Sequence, residues 1–297
     1  MQFKFKSFEG ILLIFAILIF IMSVIPRFFD IMKFLPDYSI DENEVVENAV
    51  GFMGGDLDMY WYKHGTLCPY IFALIYSLMS LFYSQGFDKF VQNVFFNNNI
   101  FYFTARFFAS CLSLLLAYFS FRLSKKYFNR KIAYIVLVLA VFPFAELLVH
   151  FKIRIDTLLA VWTFLGVYFT MQIPGSKNNK YYLLSGLFWG MGIATKPLPG
   201  LVLLPTVFLA HYFRIKNDIT ALQMKKIEET RKKKHKKQKQ IVPVRKGVVP
   251  MLIKTVFDKK IYYFILFAFM SNFVFNPYSL IKFKEYMNEQ TLAVRTG

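Results

Sequence analysis

Long apolar runs recur along this chain, and several of them approach the length at which a helix crosses a membrane. The first extends from about Phe8 to Phe29. A helix needs about 20 mostly apolar residues to span a bilayer, because the hydrocarbon core is about 30 Å thick. The chain has 297 residues, of which 56% are hydrophobic and 18% are charged. These features predict an all-α fold, a polytopic transmembrane helical bundle, rather than a soluble domain.

Charge and parity together predict seven spans. Basic loops remain on the cytoplasmic side of a membrane, and this rule orients each successive segment. The run from Tyr181 to Phe213 has 33 residues and would be about 50 Å long as a single helix. We therefore expect a hairpin that is broken at Thr195-Lys196-Pro197-Leu198-Pro199-Gly200. The predicted spans are about 8–29, 103–123, 132–151, 157–173, the two arms of 181–213, and 261–276.

Basic residues are concentrated in one loop. Of the 36 Lys and Arg residues, 16 lie between Arg214 and Lys260 against four acidic residues, so this segment carries +12 of the formal net charge of +18. We predict that residues 214–260 form a basic cytoplasmic loop. Its most basic part, Met224 to Lys239, is suited to contact anionic lipid. Nucleic acid is the weaker alternative, and we predict no nucleic-acid partner because the charge is confined to this loop.

The first outer loop, residues 30–103, is predicted to be the extracytoplasmic catalytic loop. Between Asp37 and Asp58 it contains seven acidic residues and no Lys or Arg. Ser39 and Glu42 form a capping-box pattern, which is typical of the start of a helix. Apolar residues follow at helical spacing until Gly54-Gly55. We therefore expect a short amphipathic helix that lies on the membrane and carries acidic residues in its first turn.

Three further segments predict structure more directly than chemistry. The apolar run Leu67 to Tyr83 would break the parity of the spans if it crossed the membrane, so we expect a re-entrant or interfacial helix. The alternative is that the first segment has the opposite orientation. Gly186 and Gly190 form a GxxxG pattern, which predicts close helix packing. Asp56-Leu57-Asp58 has the form of a metal-binding DxD, but two carboxylates in a loop favour a solvated turn.

The predicted topology brings carboxylates and cations to the outer face. Cations at the level of the headgroups neutralise a lipid-linked phosphate or diphosphate. A partly desolvated carboxylate takes a proton from an attacking hydroxyl or amine. Together they suit the transfer of a group from a lipid phosphate to an acceptor outside the cytoplasm. The candidate catalytic residues are Asp41, Glu42 and Asp156, and the candidate phosphate-binding residues are Lys63, His64, Arg106, Lys152, Arg154 and Lys196.

Each of these candidates also has a purely structural interpretation. Asp41 and Glu42 can cap the first helix of the outer loop, and Asp156 can be the N-cap of the fourth span. Lys152 and Arg154 can anchor the end of a span at the membrane surface, with their aliphatic stems in the apolar layer. Composition alone leaves both interpretations open.

Short motifs follow one another along the chain in a definite order. They are Ile40-Asp41-Glu42; Gly54-Gly55-Asp56-Leu57-Asp58; His64-Gly65-Thr66-Leu67 with Tyr70; Arg106; His150 with Asp156; Gly190-Met191-Gly192-Ile193-Ala194-Thr195-Lys196; and Asn276-Pro277-Tyr278. In order, spacing and sidedness this set resembles the lipid-carrier-dependent membrane glycosyltransferases, which include the protein O-mannosyltransferases and the lipid A aminoarabinose transferases. The resemblance extends from about Phe8 to the end of the chain.

This resemblance implies a GT-C fold, a polyprenyl-phosphate sugar donor and an inverting reaction on a glycan, lipid or protein acceptor. It implies that Asp41 is the catalytic base, that Asp156 helps to place the donor or acceptor, and that Lys196 contacts the phosphate. Some of these enzymes work without a metal, so no metal or other cofactor is implied. The expected location is a bacterial or archaeal cell membrane, in a multi-pass protein whose active site is extracytoplasmic.

The chain departs from the family pattern at two places. His64-Gly65-Thr66 stands where the family usually has Lys-Pro-Pro or aromatic-Pro, so the family lysine is either absent or its role passes to Lys63. The sequence also ends at Gly297, about twenty residues after the last predicted span. We therefore expect residues 1–297 to form one membrane-embedded GT-C-like module in which the family's C-terminal half is missing. A truncated gene, a split protein whose second chain supplies that half, and a compact variant are all compatible with this absence. The alternatives are a transporter or flippase-like protein for lipid-linked cargo and a non-catalytic membrane partner protein.

Overall fold

The computed structural model describes residues 10–15, 17–18, 40–59, 62, 64–96, 99–141, 155–197, 201, 204–233 and 255–296. Within these ranges the regular elements are helical, as the apolar periodicity predicts, and no strand occurs. The helices are α1 (Ile40–Met53), α2 (Leu67–Ser80), α3 (Phe87–Phe96), α4 (Asn99–Tyr127), α5 (Arg130–Val141), α6 (Ile155–Thr170), a 3₁₀ turn (Ile173–Gly175), α7 (Lys180–Thr195), α8 (Pro205–Lys233), α9 (Lys259–Phe275), α10 (Tyr278–Ile281) and α11 (Phe283–Thr296).

Two stretches in the described part of the chain are long and apolar enough to cross a membrane. They are Ile100–Tyr127 and Ile155–Gly175, and they coincide with the second and fourth predicted spans. Only residues 10–15 and 17–18 of the first predicted span are described, and both pieces are helical. The all-helical fold is confirmed, while the count of seven spans stays a prediction.

Helix α7 lies at the centre of the bundle, between α6 and α9. Its GxxxG glycines face α9, where a Cβ on Gly186 would lie 2.5 Å from the carbonyl oxygen of Phe264. A Cβ on Gly190 would overlap the carbonyl oxygen of Ala268 in the same way. The absence of side chains at these two positions therefore allows the backbones of α7 and α9 to approach closely. This confirms the packing that the GxxxG pattern predicts.

The predicted hairpin contains a break at the expected place. Helix α7 ends at Thr195, and Lys196 has an extended backbone with φ −152° and ψ 104°. The next long helix, α8, begins at Pro205 and continues to Lys233. Proline suits a first helical position because its missing N–H would have no partner there. The basic segment that was expected to begin as a loop at Arg214 is therefore helical as far as Lys233.

The outer-loop helices α1 and α2 pack against each other. Helix α1 begins and ends where the sequence predicts, and its apolar side chains Val45, Val46 and Ala49 are buried. The chain turns after α1 at Gly54-Gly55, where Gly55 has φ +95°, a conformation that favours glycine. Helix α2 has 14 residues, or about 21 Å, which is short for a bilayer crossing. Its interfacial location stays a prediction.

One hydrophobic core connects the outer loop to the rest of the bundle. It combines α1 and α2 with the first half of α4, with α6 and with the end of α7. The contributing residues include Val46, Phe72, Phe101, Leu158 and Ala194, and each of them is almost completely buried. The candidate residues of the outer loop, of α4, of α6 and of α7 are therefore held on one continuous scaffold.

Candidate active site

A buried ion pair joins helix α1 to helix α4. The guanidinium of Arg106 in α4 donates from Nε to Oε1 of Glu42 at 3.0 Å and from Nη2 to Oε2 at 2.9 Å. The Glu42 side chain is 0% exposed and that of Arg106 is 13% exposed. Two parallel hydrogen bonds of this kind fix both position and orientation. Helix α1 is therefore held against α4 directly beside Asp41.

Asp41 lies in the first turn of α1, one residue before Glu42. The structure describes the backbone of Asp41 but not its side chain. Tyr102 of α4 donates from its hydroxyl to Oδ1 of Asn43 at 2.9 Å, which adds a second attachment of the same turn. The turn that carries Asp41 is thus attached to α4 at the two residues that follow it, Glu42 and Asn43.

A second ion pair lies at the start of α6. Nζ of Lys196 donates to Oδ1 of Asp156 at 2.8 Å, with the two side chains 31% and 59% exposed. Asp156 occupies the first turn of α6, and Lys196 follows the last residue of α7. Because the pair is partly open to solvent, it can exchange its internal contact for a ligand at small cost. The structure brings together two residues that are 40 positions apart in the sequence.

The loop that carries His64 is attached to this second ion pair through its backbone. The N–H of Gly65 donates to the carbonyl oxygen of Thr195 at 3.0 Å, and a Cβ on Gly65 would overlap the carbonyl of Ala194. Thr66 donates from its hydroxyl to the carbonyl oxygen of Phe275 at 2.8 Å. The motif His64-Gly65-Thr66 therefore lies against the end of α7, next to Lys196, and against the end of α9.

Asp58 forms a third polar cluster. Its carboxylate is 7% exposed, pairs with Nζ of Lys282 and accepts a hydrogen bond from the hydroxyl of Tyr62 at 2.8 Å. Burial and the hydrogen bond to Asp58 raise the pKa of Tyr62 to about 12. The hydrogen bond to Asp58 also raises the pKa of Lys282 above its ordinary range. The predicted solvated turn at Asp56-Leu57-Asp58 is therefore wrong for Asp58, because Tyr62 and Lys282, the residue before α11, pack on its carboxylate and bury it.

Helix α11 holds the backbone of the same loop. The N–H of Tyr62 donates to Oε2 of Glu289, and the carbonyl oxygen of Tyr62 accepts from Nε2 of Gln290 at 2.7 Å. Sequence reasoning missed Lys282, Glu289 and Gln290 as residues of this region. The available signal was a polar segment directly after Asn276-Pro277-Tyr278, but nothing in the sequence connected it with position 62, more than two hundred residues earlier.

Several residues for which the sequence predicts a function lie outside the part of the chain that the structure describes. Lys63, Lys152, Arg154 and also His150 lie outside the described residues, and their roles stay predictions. His64 is half-buried in the loop that contacts Thr195. Among the described residues, no group of three or more His, Cys, Asp or Glu side chains is arranged to hold a metal ion. The carboxylate of Asp58 is instead bound to Lys282.

These features define a class: a helical protein that has, among its described residues, two helices of membrane-spanning length and has partly open and buried ion pairs at one end of its bundle. Residues 89–227 match the family described as dolichyl-phosphate-mannose-protein mannosyltransferase. This segment is just under half of the chain and contains Arg106, Asp156 and Lys196. The resemblance found in the sequence is therefore confirmed over this segment, and that family is membrane-integral. No match was found among curated proteins or among solved structures.

Proposed function

We propose that this chain is a membrane glycosyltransferase that moves a sugar from a polyprenyl-phosphate carrier to an acceptor on the extracytoplasmic face, with inversion at the anomeric carbon. The family match over residues 89–227 carries this proposal. It is supported by the partly open pair of Asp156 and Lys196, which lies inside the matched segment. A cation in that position suits the phosphate of a lipid-linked sugar.

Asp41 is the proposed base. The acceptor oxygen or nitrogen attacks the anomeric carbon from the face opposite the carrier, and its proton passes to the Asp41 carboxylate. The new bond forms at the anomeric carbon as the bond to the phosphate oxygen breaks, and the polyprenyl phosphate leaves with that electron pair. A base at the first turn of α1 is supported by the two attachments that fix this turn on α4, those of Glu42 and Asn43.

Lys196 is the proposed contact of the departing phosphate. Charge accumulates on that phosphate as the sugar leaves, and a positioned cation stabilises the transition state more than the ground state. Asp156 holds the ammonium of Lys196 before the donor enters. His64 belongs to the loop that contacts Thr195, so it is suited to complete this phosphate site. Lys63, its neighbour in the sequence, and Lys152 and Arg154, which precede α6 in the sequence, are proposed to do the same.

Glu42 and Arg106 are proposed as positioning residues. The sequence suggested a catalytic carboxylate and a phosphate-binding cation, but a fully buried, bidentate pair uses these charges to hold each other. Separating them to bind a phosphate would leave a buried carboxylate unpaired, which costs about 3–5 kcal/mol. Their role is therefore to set the place of α1, and with it the place of Asp41.

The test is transfer of labelled mannose from polyprenyl-phosphate mannose in membranes that contain the full chain. Asp41→Asn should reduce transfer at least a thousandfold because the base is lost. Glu47→Gln is the matched control, since Glu47 is an exposed carboxylate on the same helix, and it should retain transfer. Retained transfer in Asp41→Asn would overturn the role of Asp41, and equal loss in both variants would show a general charge effect.

The extracytoplasmic location has an independent test. Asp56 is exposed in the outer loop, and Lys233 is the last residue of α8. In a chain whose native cysteines are replaced, a cysteine at position 56 should react with a membrane-impermeant reagent added to intact cells. A cysteine at position 233 should remain unlabelled until the cells are opened. The reverse pattern would overturn the proposed orientation.

A further inference from the structure

A cavity of about 870 Å³ lies at the end of the bundle opposite the candidate active site. It is enclosed by the ends of α4 and α6, the 3₁₀ turn, the start of α7 and the first half of α8. Its walls are mainly apolar and include Val167, Leu209, Ala210 and Phe213. A volume of this size is in the range of small-molecule sites, which are about 300–1,000 Å³. The cavity is therefore large enough to receive part of a lipid.

The position of the cavity along the helices agrees with the opposite surface of a membrane. Arg106 and Lys126 are 20 residues apart on α4, which corresponds to about 30 Å along the helix, the thickness of a hydrocarbon core. Asp156 is likewise near the start of α6, whereas Thr170, its last residue, lines the cavity. The cavity and the proposed donor site thus lie at the two ends of the same membrane-length helices.

Of the described residues, one cation, Lys126, lines the cavity among neutral polar groups. Its Nζ contacts Oε1 of Gln172, a neutral amide. The segment from Arg122 to Lys131 contains five cations and no Asp or Glu. Lys177 and Lys180 follow the 3₁₀ turn nearby in the chain, again without an acidic neighbour between Met171 and Tyr181. The local charge is therefore complementary to an anion, and no Asp or Glu is among the described residues that line the cavity.

Apolar side chains remain exposed in the wall of this cavity. Leu209 is 56% exposed and Phe213 is 43% exposed, and both lie on the face of α8 that lines it. Apolar surface of this kind suits the acyl chain of a charged lipid, and the ammonium of Lys126 beside it suits the lipid phosphate. A neutral lipid would fill the apolar wall but would offer Lys126 no charged partner in place of the neutral amide of Gln172.

We propose that this cavity binds an anionic glycerophospholipid, with an acyl chain against Leu209 and Phe213 and the headgroup phosphate at Lys126. This site is separate from the basic segment Met224 to Lys239, for which the sequence predicts diffuse contact with anionic lipid. The two predicted contacts differ, because in the cavity a single lipid molecule inserts between helices. It also does not depend on the proposed transfer reaction, since it lies at the other end of the bundle.

The experiment measures retained lipid on the full chain by native mass spectrometry after exchange with phosphatidylglycerol or phosphatidylcholine. One molecule of phosphatidylglycerol should be retained about fivefold more strongly than phosphatidylcholine, the factor expected for one lysine near a lipid phosphate. Lys126→Gln should remove this preference. Lys125→Gln is the matched control, because Lys125 is an exposed neighbour that does not line the cavity, and it should keep the preference.

A second pair of variants tests the acyl-chain position. Leu209→Trp should fill the cavity and reduce retention of phosphatidylglycerol at least fivefold, whereas Phe208→Trp, on the adjacent face of α8, should leave it unchanged. Equal retention of the two lipids by the parent chain, or equal effects of Lys125→Gln and Lys126→Gln, would overturn the proposal. Displacement of phosphatidylglycerol by millimolar inorganic phosphate would overturn it as well, since it would show an anion site without a lipid chain.

Discussion

The backbone N–H of Gly65 donates a hydrogen bond to the carbonyl oxygen of Thr195 at 3.0 Å, one residue before Lys196. This contact joins the outer loop to the end of α7. A glycine is required at position 65 because any side chain would overlap the carbonyl of Ala194. The departure from the family's Lys-Pro-Pro pattern therefore has a physical consequence: the glycine lets the His64 loop lie directly on the backbone beside Lys196.

Gly65→Ala should separate the outer loop from the end of α7. The obstructing atom is in the backbone, so the chain has to move rather than a side chain. A displacement of about 1 Å at a substrate-positioning loop can reduce transfer up to about a hundredfold. Gly51→Ala is the control, since a Cβ there meets nothing within 4 Å. Sugar transfer by the two variants checks the prediction, and unchanged transfer in Gly65→Ala would contradict it.

Removing one partner of the buried pair should destabilise the protein more than removing both. Arg106→Gln alone leaves the buried Glu42 carboxylate without its cation, at a cost of about 3–5 kcal/mol. Adding Glu42→Gln removes that charge, so the double variant should have a higher melting temperature than Arg106→Gln alone. Melting temperatures measured in one detergent check the order. Purely additive losses would show that the two residues do not act as a pair.

Lys196→Gln should affect transfer far more than stability. Its ion pair with Asp156 is partly exposed, and such pairs contribute about 0–1 kcal/mol, whereas loss of a cation at a leaving phosphate should lower the rate about a hundredfold or more. Lys180→Gln is the control, because Lys180 is an exposed cation at the start of α7. Rates and melting temperatures are measured on the same preparations. A rate loss matched by an equal loss of folded protein would contradict a role in phosphate binding.

The contact between the outer loop and α11 should weaken at high pH. Folded Tyr62 keeps its proton up to about pH 12, whereas an unfolded tyrosine loses it near pH 10. The stability linked to protonated Tyr62 is therefore complete below pH 10 and is lost as the pH rises toward 12. The raised pKa of Lys282 acts in the same direction.

Tyr62→Phe should accordingly flatten the decline of the melting temperature between about pH 10 and pH 12. The decline should persist in Tyr262→Phe, which alters an exposed tyrosine of α9. Scanning fluorimetry across this range measures both variants against the parent chain. Identical pH dependence in all three proteins would show that Tyr62 does not contribute to alkaline instability.

The positions of several helices could be predicted from the sequence. Apolar runs and glycines give the positions of α1, α4, α6 and α7, because these signals are local and repeat along each helix. The GxxxG pattern also predicted a close contact correctly, since small residues at that spacing have few other uses in a membrane helix.

The pairing of the charged residues could not be predicted in the same way. Glu42 was assigned to capping and catalysis, and the structure pairs it with Arg106 on another helix. Asp58 was assigned to a solvated turn, and it pairs with Lys282 from the end of the chain. These pairs form because the fold brings together elements that are far apart in sequence. A single sequence gives no signal for which of its charged residues will meet.

The most direct test of the central claim uses the purified full chain in lipid vesicles with polyprenyl-phosphate mannose, labelled in the sugar, and a cell-envelope extract as the source of acceptors. The claim predicts that mannose appears on an acceptor with inverted anomeric configuration while free polyprenyl phosphate is released in equal amount. A transporter would instead move the intact donor across the bilayer. Movement of the donor without cleavage of its bond to phosphate would contradict the account.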